Sequence, residues 1–119
     1  MDSTITIDGK RVMIRKTAGT MQRYKTATGR EWNADIALFF AIRAQLAAAK
    51  TDEERLSIFL KADTAWMYDA VYIMAKQASP DLPPLEEWLD SFDSFRVWDV
   101  FQQVLPLLLS EMQVSPKNG

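Results

Sequence analysis

A mainly α fold, with an N-terminal β-hairpin followed by a bundle of about five helices, is what this sequence predicts. Three observations carry that reading. Two β-branched runs, Thr4-Ile5-Thr6-Ile7 and Arg11-Val12-Met13-Ile14-Arg15, alternate around Asp8-Gly9, a strong short-range hairpin signal. From Arg30 to Asn118 there are 89 residues without a glycine, rich in Ala, Leu, Met, Glu and Gln, which favours helices. Apolar residues then recur at helical spacing along that stretch. With 119 residues, 48% apolar and 11% aromatic, one domain over about 1–114 is expected, with 115–119 as a flexible polar tail.

In the hairpin, 4–15, an even loop puts Ile5, Ile7, Val12 and Ile14 on one face. Thr4, Thr6, Arg11, Met13 and Arg15 take the other. A lone hairpin is marginal in water and needs something to pack against. A helix is expected over about 18–28, closed by Gly29, with Met21 and Tyr24 inward. A second is expected over 33–49, with Asn33 as its cap and Trp32, Ile36, Phe39, Phe40 and Leu46 at helical spacing. Thr51-Asp52-Glu53-Glu54 reads as a capping box opening a long helix, 52–78. Its stripe is Leu56, Phe59, Leu60, Trp66, Met67, Ala70, Ile73 and Met74. Pro80, Pro83 and Pro84 end it, and Pro84 suits the first position of a short helix, 84–92. Asp93 or Ser94 can cap the last helix, 94–112, which Pro106 should kink or split.

Two absences exclude chemistries. Without Cys and His there is no thiolate nucleophile, Cys-based zinc site or imidazole base. No phosphate-binding glycine loop or EF-hand pattern is present, so no cofactor or metal and no catalytic residue is assigned. Glu86, Glu87, Asp90 and Asp93 are the densest acidic group, and a solvated helix face is the plainer reading. Asp63 and Asp69 lie in or beside the long helix's apolar stripe. A salt bridge to a basic residue of the hairpin or first helix is the plainer account there, against a buried general acid. No secretory signal or membrane-length apolar run is evident, so a cytoplasmic protein is expected.

The net charge of −2 hides a split. Residues 1–30 carry seven cations against two carboxylates, a net of +5, and residues 31–119 carry seven against fourteen, a net of −7. The basic end raises a small DNA-binding regulator as an alternative function. The acidic body and the scarcity of aromatics among the cations weigh against nucleic acid. Trp88, Leu89, Phe92, Phe95, Trp98 and Phe101 are dense in rings within fourteen residues. They read as core, as a protein-binding surface for a client or a second copy, or as both.

The element order resembles a known family. Ile5 to Lys10, Tyr24 to Gly29, Ala75 to Pro84 and Leu85 to Phe95 are similar to the tail assembly chaperones of long-tailed bacteriophages and prophages of Gram-positive hosts. The Pro-rich break followed by Trp88-Leu89-Asp90-Ser91-Phe92 is the most specific part. The resemblance implies a non-enzymatic protein of virion morphogenesis. It would bind and solubilise the tape measure protein, recruit tail tube protein, act in the host cytoplasm and be missing from the mature virion. It also implies self-association. The charge split suggests one form of it: Lys10, Arg11, Arg15 and Lys16 of one copy against Glu86, Glu87, Asp90 and Asp93 of the next. Such a head-to-tail contact can build open filaments.

Overall fold

The computed structural model describes residues 1–112; the tail expected at 115–119 lies outside them. The order is β1 (Asp2–Ile7), β2 (Lys10–Arg15), α1 (Thr20–Thr28), α2 (Trp32–Ala48), α3 (Asp52–Lys61), α4 (Ala65–Ala78), α5 (Leu85–Asp90) and α6 (Val97–Met112). The mainly α fold with its leading hairpin is therefore present, with six helices among the described residues against about five expected.

The hairpin follows the sequence closely. Ile7 pairs with Lys10 and Ile5 with Val12. Asp8 and Gly9 both have positive φ, 53° and 74°, as a type I′ turn requires. Ile5, Ile7 and Ile14 are buried and Val12 half-buried, so the predicted face points inward. It packs on α4 from β2 and on α6 from β1. The exposed edge of β1 is closed by one side chain: Gln103 accepts from the Thr6 N–H at 2.8 Å and donates to the Thr6 carbonyl at 2.8 Å. That bracket satisfies ladder groups an edge strand otherwise leaves open.

α4 is the middle of the structure. It buries Trp66, Met67, Ala70, Val71, Met74 and Ala75 and touches β2, α1 and α6. Gln77 ties it to the start of α1, accepting from Thr20 Oγ1 at 2.7 Å and donating to Thr17 Oγ1 at 3.0 Å. α1 ends where expected, at Gly29, whose φ of 74° lets its N–H reach the Lys25 carbonyl.

Several boundaries differ. The helix expected over 52–78 is two, broken at Ala62-Asp63-Thr64. The Asp63 carbonyl accepts the Trp66 indole N–H at 2.9 Å, and the Asp63 carboxylate meets Arg30 at 3.1 Å. The break thus turns Trp66 into the core and Asp63 toward Arg30. As a result Leu56, Phe59 and Leu60, expected in the buried stripe, are exposed. Met21 is exposed as well, while Tyr24 is buried. Glu31, in extended backbone, precedes α2 in place of Asn33, because burial of Trp32 draws it into the first turn. Thr51 does cap α3: its Oγ1 accepts from the Glu54 N–H at 3.1 Å, and Glu54 reaches back to the Lys50 N–H at 2.7 Å. Pro84 is the residue before α5 and not its first helical one. α6 starts at Val97, not near Asp93, because the linker turns Phe92 and Phe95 edge to face at 5.8 Å. Pro106 does not split α6. Pro106 and Gln102, one turn apart, are both exposed, so the carbonyl that loses its donor faces solvent.

A polar cluster joins α1, α2 and the α3–α4 break. Asp35 accepts from Tyr24 Oη at 2.6 Å and from Arg30 at 2.8 and 2.9 Å. Burial pushes the Asp35 carboxyl up, but the Arg30 and Tyr24 hydrogen bonds together outweigh it and hold it below its usual value. Burial and the Asp35 bond raise the Tyr24 phenol. Asp69, by contrast, is pushed up by burial, with only a distant attraction from Arg30 opposing it.

These two carboxylates predict opposite behaviour. Asp35 titrates lower folded than unfolded, so its contribution is complete above about 3.9 and is lost as pH falls through its lower folded value. Asp35→Asn should cost about 2 kcal/mol near neutral pH, since Arg30 is partly exposed and screened, and should flatten the acid limb of a urea-melt series. Asp69 titrates higher folded than unfolded, so protonation on acidification relieves a cost. Asp69→Asn should therefore equal or exceed the wild type in neutral-pH melts, with the difference closing toward acid.

Candidate protein-binding cleft

The six candidate contact residues do not share one environment. Trp88 and Phe101 are 4% and 0% exposed, so in this conformation they have no surface to offer a partner. Phe101 lies 5.2 Å from Trp66 and 5.0 Å from Phe39, ring to ring. Trp88 meets Tyr72 at 5.5 Å and Phe92 at 5.2 Å. Leu89, Phe92, Phe95 and Trp98 are half-buried. The density of rings that sequence alone left open between core and surface resolves position by position.

Phe95 and Trp98 are the two that reach a cleft. Trp98 stacks on Phe39 at 4.6 Å and receives the edge of Phe59 at 5.6 Å. Phe95 lies 5.0 Å from Tyr68. Together with Leu46 and Val97, these rings line a cleft of about 710 Å³ between α3 and the bodies of α4 and α6. Arg55, Arg96 and Asp99 stand on its rim. An apolar, aromatic floor with a charged rim is the anatomy of a protein-contact site. Phe59, expected in the buried stripe of the long helix, and Tyr68 are lining residues outside the six candidate contact residues. Their signal was the excess of apolar residues around 52–78, more than one face can bury.

One wall of the cleft is weakly held. α3 has no buried residue, and Leu60, Leu56 and Phe59 are 76%, 58% and 37% exposed. α3 packs chiefly on α2, and beyond Ile42 α2 itself buries nothing. The far end of α2 and α3 thus form an arm outside the core. The radius of gyration, 15.2 Å, exceeds the roughly 13.5 Å of a compact chain of this length.

The electrostatic set is also divided. Lys10 donates to the Ser91 carbonyl at 2.7 Å and sits 5.4 Å over the Phe92 ring. Asp8 accepts from the Asp93 N–H at 2.9 Å. The hairpin turn therefore clamps the α5–α6 linker of its own chain, and the basic turn and the acidic segment are neighbours, not opposite ends. Arg15 pairs with Asp2 at 2.7 Å. Lys16 is buried near Trp32, and burial lowers its pKa. Arg11, Glu86, Glu87, Asp90 and Asp93 are exposed. Among the described residues no three carboxylates gather closely enough to hold a metal ion, and no helix is long and apolar enough to cross a membrane.

Comparison with protein-family models, curated proteins and solved structures returns no match.

The arm should open independently of the core, because local stability follows buried apolar contact. Hydrogen exchange should show the amides of α3 exchanging at least about tenfold faster than those of α4 under native conditions. Equal protection of the two helices would show that α3 is part of the core.

Proposed function

We propose that this chain is a non-enzymatic tail assembly chaperone of a long-tailed bacteriophage or prophage. It binds apolar helical segments of the tape measure protein, keeps them soluble in the host cytoplasm, recruits tail tube protein, and is left out of the mature virion. The family resemblance of the sequence supplies the identity of the client. The observation that carries the reading is the cleft of Phe59, Tyr68, Phe95 and Trp98, open beside an arm the core does not hold. An amphipathic client helix inserting apolar anchors there follows a common mode of helix recognition. Because α3 contributes so little to the core, the cleft can widen without unfolding the body.

No observation favours the DNA-binding alternative. Of the seven cations in residues 1–30, Lys10, Arg15, Lys25 and Arg30 are engaged within the chain and Lys16 is buried. Arg15, Lys25 and Arg30 are thereby neutralised by carboxylates of their own chain, which weakens a phosphate-binding face.

The test is co-expression with the tape measure protein followed by pull-down. Removing everything after Ser79 would strip α6 from the core, so point substitutions are needed. Phe59→Lys, at a partly exposed position, should cut capture at least about tenfold with a melting temperature close to wild type. Gln102→Ala, on the exposed side of α6, should capture normally. No capture by the wild-type chain would overturn the proposal, and full capture by Phe59→Lys would overturn the cleft.

A further inference from the structure

Two surfaces remain that neither the core nor the cleft uses. One is the outward face of α3. Asp52, Leu56 and Leu60 lie four residues apart in turn, and Glu53 falls three before Leu56. This places an apolar pair and two carboxylates on one stripe. Phe59 turns away from it toward Trp98.

The other surface is a groove of about 780 Å³ between α1 and α4. Its lining mixes the apolar Ala27, Tyr72 and Ile73 with neutral polar side chains of both helices, and it carries Arg15, Arg23 and Lys76. No carboxylate lines it. Arg15 is matched by Asp2, and Lys76 spends one hydrogen on the Leu82 carbonyl but keeps its charge. Arg23 has no ion-pair partner among the described residues. The groove runs along α1, nine residues or about 13 Å of helix, and α3 has ten residues or about 15 Å.

We propose that the groove takes the α3 of a second copy of this chain. Leu56 and Leu60 would sit on Tyr72 and Ile73, and Glu53 would face Arg23 and Lys76; Asp52 is already paired with Arg55 of its own helix at 2.8 Å. Length and charge match in one direction only: the α3 face is apolar with a carboxylate at Glu53, and the groove is partly apolar with a cationic rim. The contact is heterologous, so each copy that donates α3 leaves its own groove open for another, and growth is head to tail. This goes beyond the client-binding reading and does not depend on it. Its residues differ from the pairing expected from the charge split, in which Lys10 also donates to the Ser91 carbonyl of its own chain.

Sedimentation velocity of the full chain at low salt, over about 10 to 300 µM, tests it. Association should rise with concentration and weaken as salt screens the rim charges. Leu60→Lys puts a cation against the cationic groove, and Arg23→Glu puts an anion against the acidic helix face. Both positions are exposed, so circular dichroism and melting should match wild type, while each variant alone should associate at least about tenfold more weakly. Mixed together, the two variants should associate, since one supplies an intact groove and the other an intact α3. A wild-type chain that stays monomeric throughout overturns the proposal and leaves both surfaces to other occupants. So does unchanged association in either variant, or a mixture that stays monomeric.

Discussion

The rest of the structure depends on the burial of one hairpin face. A two-stranded hairpin has too little contact to stand alone, so Ile5, Ile7 and Ile14 must find apolar cover, and α4 and α6 supply it. That requirement makes α4 the element that β2, α1 and α6 all touch. It also explains the polar side chains that fasten the seam: Gln103 on the open edge of β1, Gln77 on the start of α1, and Asp8 and Lys10 on the α5–α6 linker. Each joins residues remote in sequence and leaves a backbone or side-chain polar group satisfied at the junction.

A core settled around α4 has no need of α3. The contacts among Trp66, Phe101 and Phe39 involve no α3 side chain, and the apolar residues of α3 remain at the surface. Large exposed apolar side chains on a small domain mark interaction surfaces. Here one ring, Phe59, lines a cleft, while Leu56 and Leu60 are exposed outside its lining. One weakly held helix therefore presents two different surfaces.

The legible parts of the sequence were those set by local chemistry. Asp8-Gly9 specifies its turn by backbone conformation, Gly29 ends α1 by its positive φ, and Thr51 with Glu54 caps α3, all without reference to the rest of the chain. The break at Ala62-Asp63-Thr64 was not legible, since none of these residues interrupts a helix by itself; tertiary contacts of Asp63 and Trp66 make it. Periodicity placed Leu56, Phe59 and Leu60 on a helix but could not say that α2 would leave them uncovered. The aromatic run from Trp88 to Phe101 showed its excess over one helical face. The division into core, at Trp88 and Phe101, and cleft wall, at Phe95 and Trp98, needed the fold. Charge counting found the basic end but not that Lys10, Arg15 and Lys16 are used within the chain.

The central claim is that α3 is an arm whose separation from the α4–α6 body is what a client occupies. A chain without cysteine makes the direct measurement simple, because any introduced thiol is unique. Lys61→Cys on α3 and Gln102→Cys on α6, both exposed positions, can carry spin labels for a distance distribution. In the free chain the distribution should be broad, reflecting an arm held by few contacts. With a captured tape measure segment it should narrow and shift to longer distance as the cleft fills. A narrow distribution that is the same with and without client would contradict the account.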